Sequence, residues 1–346
     1  MTPVQLTGIG PVMACGQGAA ALLTALEKGS PVSDYHVAAL NLDEFVPAKQ
    51  SRRMDNFTRM TVLAACLAVK DAAVEIDTQF KSGTGIVFGS ALGPQASSFS
   101  FLDGIIDGGD TCASSILFTN SVHSTAAAQV ALTLGIRGPM RTISAFGHTA
   151  GAALASALSW IASRLVQRVL VILTEETSDV QQYSAAGKGA HGPINPFSRA
   201  CTYVPGEGCV AFMLEASATE GYGALLYFDP CLRVETASER SAACDMLFSA
   251  AAGRADEYAT YDRLWSGPTP CAAYSPLYGS LYAGMGFELA MAAFSLRKQF
   301  VFPIPGMTAG DMKKRNLPMS GGRRLSKVAI AAVTGPKRIA YAELGI

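Results

Sequence analysis

One run of the chain is apolar on every side, and the rest of the pattern falls around it. Residues 169–173 (VLVIL) are apolar without a break, as in a strand covered on both faces. Upstream, Ala or Gly fills positions 150–153, Ala recurs at 162, and the stretch carries almost no charge. A helix so poor in charge is buried. The pattern predicts a strand at 141–144, a tight turn at Phe146, Gly147 and His148, a helix over 149–165 and a strand over 168–174. Packed between covered sheets, such a helix would carry its free N–H groups and positive dipole end deep into the protein.

The remaining elements follow in order. A strand over 4–9 ends in Gly8-Ile9-Gly10-Pro11, and a helix over 18–28 is closed by Gly29. Gly8, Gly10, Gly16 and Gly18 lack the G-x-G-x-x-G spacing, so they read as a tight strand-to-helix turn and not a nucleotide loop. Residues 30–50 are Pro-punctuated loop with a short strand. A helix over 58–73, a buried strand over 83–89 and helical stretches over 116–121 and 123–134 lead into the central run. Beyond Glu176 a loop reaches Arg199, then a strand spans 209–214. A crossing near 216–222 opens a strand over 223–229, a helical stretch over 238–251 and a second apolar helix over 279–297.

Composition narrows the function classes. Apolar residues make up 49% of the 346 and charged residues 16%, which implies a large buried fraction and an extensive subunit interface. Lys+Arg and Asp+Glu both number 27, arguing against nucleic acid or an anionic membrane as the main partner. The eight cysteines show no C-x-x-C or other metal spacing, so they read as reduced core thiols of a cytoplasmic protein. The first residues lack a basic segment followed by an apolar one, and no apolar run approaches a membrane span.

A helix N-terminus of this kind suits a buried nucleophile, because it stabilises a thiolate. The stretch resembles the nucleophile turn of the β-ketoacyl synthases, where Cys-x-x-Gly opens such a helix. The matching residues are His148-Thr149-Ala150-Gly151, while counting forward from Gly138 and Pro139 sets Gly147 opposite the Cys. Neither position, nor Phe146, is a thiol. Other blocks carry the resemblance further. Ser51-Arg52-Arg53-Met54-Asp55-Asn56-Phe57 is similar to a family segment at the dimer edge. Ser90-Ala91-Leu92-Gly93 is similar to the turn beside the acyl tunnel, and Asn195-Pro196-Phe197 with Gly206-Glu207-Gly208 and Glu215 to a structural block. The likeness covers nearly the whole chain and is densest over 83–215. It implies an α/β, thiolase-like, five-layer αβαβα fold of two duplicated halves, 1–218 and 219–346, the second abbreviated.

The resemblance also shows what is missing. The family's two histidines and lysine, which assist decarboxylation, are matched by Ser266, Ser280 and Ser275, and its Gly-Phe-Gly-Gly loop by Val333-Thr334-Gly335-Pro336-Lys337. It implies no catalytic residue and no bound cofactor. The expected role is that of a chain-length factor. Such a subunit heterodimerises with an active ketosynthase, most like those of type II polyketide and aryl polyene systems. It would shape the tunnel for chains carried on the 4'-phosphopantetheine of an acyl carrier protein. Phe118 matches the side chain that crosses the interface to end the partner's tunnel, Leu92 a tunnel-lining position, and Phe146 would plug this chain's own pocket. An enzymatic alternative, decarboxylase or acyltransferase, would use His148 as a neutral donor or weak base, or a Ser. His123 reads as a capping or packing residue, and neither His36 nor His191 has a partner.

Overall fold

The computed structural model describes residues 3–187, 193–216, 218, 220–307, 317–318 and 320–346. His191 lies outside them. The thirteen strands among these residues are β1 (Val4–Met13), β2 (Gly16–Gln17), β3 (Thr84–Gly89), β4 (Met140–Ile143), β5 (Arg168–Glu175), β6 (Gly208–Glu215), β7 (Gly223–Arg233), β8 (Met246–Ser249), β9 (Cys271–Ala272), β10 (Phe300–Val301), β11 (Gly321–Gly322), β12 (Lys327–Gly335) and β13 (Arg338–Gly345). Strands β10 and β11 form a separate ribbon.

The main sheet runs β4-β3-β5-β6-β1-β7-β13-β12-β8-β9, with β2 paired to β1. Each half repeats one design. The third strand lies outermost, then the second, fourth, fifth and first, and the first strands of the two halves meet where β1 pairs with β7. Pairing directions repeat as well. β4–β3 and β3–β5 are parallel, and β5–β6 and β6–β1 antiparallel. Likewise β9–β8 and β8–β12 are parallel, and β12–β13 and β13–β7 antiparallel. Hydrogen-bond pattern thus establishes the duplication where side-chain similarity is too weak to do so.

In each half a helix joins the third and fourth strands: Thr149–Ala162 in the first, Gly284–Lys298 in the second. They form the middle layer. The first packs on β3 and β5 and also on β7, and the second on β12, β8 and β13 and also on β1 and β6. Every residue from Gly284 to Leu296 is buried, so this helix has no polar face. Small residues permit the close stacking. A Cβ on Gly151 would lie 3.1 Å from Ala340 Cβ, and one on Gly286 would lie 2.4 Å from Leu173 Cδ1. Outer helices, among them Asn56–Asp71 and Ser124–Leu134 on one side and Val234–Ser241 and Tyr258–Trp265 on the other, complete five αβαβα layers.

Four expected elements differ. Residues 30–50 hold no strand and run into the short helix Ala48–Ser51. Strand β1 does not end at Ile9 but continues to Met13. Its glycines serve close approach, because a Cβ on Gly8 would meet Ala68 O at 2.2 Å and one on Gly10 would meet Ala64 O at 2.0 Å. Helix Asn56–Asp71 thus lies backbone-to-backbone on the strand. Residues 238–251 hold the end of helix Val234–Ser241 and then strand β8. Four buried residues, Met246-Leu247-Phe248-Ser249, suit a buried helix or strand alike on periodicity. The loop after Glu176 contains the helix Asp179–Gly187. Among the described residues no helix is long and apolar enough to cross a membrane.

Candidate functional site

The predicted turn forms a sharp elbow between β4 and helix Thr149–Ala162. Residues Phe146–His148 make one 3-10 turn, and Phe146 takes φ +45°, a left-handed conformation costly for a bulky L residue. His148 N–H donates to Ala145 O at 2.9 Å, and Ala145 N–H donates to Thr149 Oγ1 at 3.0 Å. A strained strand-to-helix turn is how a fold presents a nucleophile at a helix start. Here its tip carries a phenyl ring.

Expectation and structure differ on depth. Thr149, Ala150 and Gly151 are buried, but His148 is exposed and Phe146 is 62% exposed. In the isolated chain the helix body lies between the sheets, while its N-terminus reaches the surface. Phe146 therefore does not bury itself in a pocket of its own subunit. Its ring leans edge-on against Tyr282, centroids 5.9 Å apart.

The turn after β3 is tied to the elbow, which places Leu92 beside it. Ser144 Oγ donates to Ala91 O at 3.1 Å, and Ser90 N–H donates to Ile143 O at 3.1 Å. From behind, Glu175 Oε1 accepts from Ala91 N–H at 2.8 Å. Burial pushes the Glu175 carboxyl up to about 7, against backbone hydrogen bonds from Ala91 and Leu92 and the nearby charge of Arg254. His123 sits at the N-terminus of helix Ser124–Leu134, its ring packed where a Cβ on Gly93 would be, and burial lowers its pKa.

The three serines part company. Ser275 Oγ donates to Ala251 O at 2.7 Å, and Ser280 Oγ donates to Ala252 O at 2.6 Å while accepting from Val204 N–H at 3.0 Å. Both are buried and spend their hydroxyls on backbone. Ser266 is elsewhere, exposed at the C-terminus of helix Tyr258–Trp265, donating to Asp262 O at 2.7 Å. The segment facing Ser275 and Ser280 is the one that leaves β8, where Ala250, Ala251 and Ala252 offer no proton donor in their side chains.

Other predicted residues prove structural. Asp55 caps helix Asn56–Asp71 by accepting from Thr58 N–H at 2.9 Å and takes a second bond from Ser97 Oγ at 2.6 Å. Glu207 Oε1 accepts from Val37 N–H at 2.8 Å, and His36 Nδ1 lies 3.7 Å from the same oxygen, so His36 is not partnerless. Phe197 packs on Trp265 at 4.9 Å. Cys209 is buried, and desolvation pushes its thiol up to about 12, away from the thiolate form.

Beside the elbow the β12–β13 turn closes a cleft of about 470 Å³, lined by Gly147, Tyr282, Val333, Thr334 and Lys337 and by Arg254 and Glu257. Sequence reading missed Arg254, Glu257 and Tyr282. Arg254 and Glu257 follow β8 and Tyr282 precedes the second middle helix, and no linear spacing marks them.

Phe118 is on the outside. It is 58% exposed on helix Ser115–Ser121, packed at 5.6 Å on Phe101, among exposed Leu102, Ile106, Ile116 and Val122. Edge strand β4 is paired only with β3 among the described residues.

Residues 4–220 match the sequence profile of the β-ketoacyl synthase N-terminal domain. The chain belongs to the β-ketoacyl synthase family. Over 99 residues this ketosynthase-family chain is 30% identical to a 3-oxoacyl-[acyl-carrier-protein] synthase 2 of Staphylococcus aureus, a match spanning 29% of this chain and 25% of that one. Solved ketosynthase structures match along the whole chain. The ishigamide ketosynthase/chain length factor superposes with TM-score 0.82 at 17% identity, covering 99% of each chain. A β-ketoacyl synthase from Burkholderia phymatum gives TM-score 0.83 at 16% identity, covering 100% of this chain and 99% of the other. A chain from a type II PKS acyl-carrier protein in complex with its ketosynthase bound to the hexaketide gives 0.79 at 16%, covering 99% of each. At these identities the likeness establishes the thiolase-like ketosynthase fold.

Proposed function

We propose that this chain is a non-catalytic, cytoplasmic chain-length factor. It pairs with an active ketosynthase to form a β-ketoacyl-[acyl-carrier-protein] synthase complex and bounds the tunnel in which an acyl carrier protein's chain grows, in a type II polyketide or aryl polyene setting. The observation that carries the reading is the elbow. A strained turn built to hold a nucleophile holds Phe146, Gly147 and His148 instead, and the lysine- and histidine-matching Ser275 and Ser280 are committed to backbone carbonyls. The solved ketosynthase/chain length factor and the complex of a carrier protein with its ketosynthase support the two partners by analogy. The division into halves 1–218 and 219–346 is part of the same proposal, supported by the repeated strand order.

The partner surface is the face bearing edge strand β4 and helices Gln95–Gly108 and Ser115–Ser121. An edge strand paired only with β3 among the described residues, and exposed Ile106, Ile116 and Phe118, invite cover in an assembled complex. Phe118 is the side chain that reaches the partner's tunnel, where a rigid aromatic ring fills a large fixed volume.

Co-expression with an active type II ketosynthase tests the reading. A stable one-to-one complex is expected, inert malonyl carrier protein chemistry for this chain alone, and a longer product from the complex carrying Phe118→Ala. No complex, with turnover by this chain alone that is lost in His148→Ala, would overturn it.

A further inference from the structure

We propose that Phe101 is a specificity-determining positioning residue: by holding the Phe118 ring in one direction, it makes chain length a property of two helices and not of one side chain. The inference rests on the partner reading above and deepens it, naming what aims the ring that ends the tunnel.

Phe118 has little else to steer it. Its backbone is fixed, the N–H donating to Ser114 O at 2.9 Å and the carbonyl accepting from Ser121 Oγ at 2.8 Å. The side chain is not, because helix Ser115–Ser121 buries none of its residues. On a helix an aromatic side chain has two accessible χ1 wells, which send the ring to different sides of its Cα. Among the described residues the ring contact that Phe118 makes is with Phe101, centroids 5.6 Å apart and planes inclined at 51°. Tilted rings at this spacing attract. The contact therefore favours the one well that keeps the rings together.

Phe101 can serve as a support because its own helix is tied down. Ser97, one turn earlier on the same face, is the one buried residue of helix Gln95–Gly108, and its Oγ donates to Asp55 Oδ2 at 2.6 Å. Ala96 N–H donates to Glu176 Oε2 at 3.1 Å, and Gln95 Nε2 donates to Glu176 O at 2.9 Å and to Gln181 Oε1 at 3.1 Å. The helix root is thus held from two sides, by the cap of helix Asn56–Asp71 and by the segment after β5. Phe101 and Ile105 continue the Ser97 stripe and are half-buried, whereas Leu102 and Ile106 are exposed. Phe101 faces inward, toward its partner ring, on a helix that does not swing freely.

Carrier-bound chains made by the complex with an active type II ketosynthase, sized by intact mass spectrometry, read the direction of the ring. Phe118→Ala should shift the whole distribution to longer chains. Phe101→Ala leaves the Phe118 ring but frees it, so the parent length should persist beside longer chains. Their share should rise about fivefold, the factor that an aromatic pair of this kind supplies. Phe101→Tyr keeps a ring and should restore the parent distribution. Phe101→Leu keeps apolar cover without a ring; it should broaden the distribution as Phe101→Ala does, and it serves if the alanine variant assembles poorly. With Phe118→Ala already in place, Phe101→Ala should add nothing. A parent-like distribution in both Phe101→Ala and Phe101→Leu, or further lengthening on top of Phe118→Ala, would overturn the inference while the partner reading stands. No complex, or an unchanged product in Phe118→Ala, would bring down the partner reading and this inference with it.

Discussion

Raising the pH from about 6 to about 8 should cost the chain about 2 kcal/mol of stability through one carboxyl group, Glu288. It sits in the middle of helix Gly284–Lys298 with no solvent exposure. Its Oε1 accepts from Tyr274 N–H at 2.6 Å and from the Tyr278 hydroxyl at 2.8 Å, and Oε2 has no hydrogen-bond partner among the described residues. Burial pushes the carboxyl from the ordinary 4.5 up to about 8, and the two hydrogen bonds only moderate the rise. The folded state therefore holds a proton that the unfolded chain releases. Its stabilisation is fully present below about pH 4.5, falls by about 1.4 kcal/mol per pH unit as pH rises, and is gone above about pH 8, a total of about 5 kcal/mol. Glu288→Gln keeps the acceptor oxygen and cannot ionise. Urea melts of parent and variant at about pH 6, 7 and 8 isolate the effect, because Glu175, Glu176 and Glu257, each pushed up to about 7 by burial, titrate in both proteins. The parent should lose stability more steeply by about one proton's slope. Equal slopes would refute the argument that Glu288 is buried as the neutral acid.

Two further outcomes follow from packing and hydrogen bonding. Gly10→Ala would drive a methyl into the carbonyl of Ala64, where backbone meets backbone and no side chain can yield, so a loss of about 3 kcal/mol or more is expected in thermal or urea unfolding. Ser280→Ala leaves Ala252 O and Val204 N–H without their partner in a buried site and should cost about 2 to 4 kcal/mol, whereas exposed Ser266→Ala should stay within about 0.5 kcal/mol; equal effects in unfolding assays would count against the different placements of the two hydroxyls.

The sequence by itself determined the periodic and local features: the apolar run of β5, the small-residue helix after the turn at Phe146, the layered α/β class and the absence of a thiol at that turn. These are legible because burial on all sides writes an uninterrupted apolar or small-residue run, whatever the neighbours are. Tertiary structure alone decided what depends on partners distant in the chain. Gly8 and Gly10 read as turn residues until helix Asn56–Asp71 was laid across them. Strand β8 is too short for its period to speak, and only parallel pairing with β12 fixes it as a strand. The duplication is a matter of strand order and direction, which two unlike sequences can share. Arg254, Tyr203 and Tyr282 come from three separate stretches and meet only by stacking, a relation set by folded geometry and not by spacing.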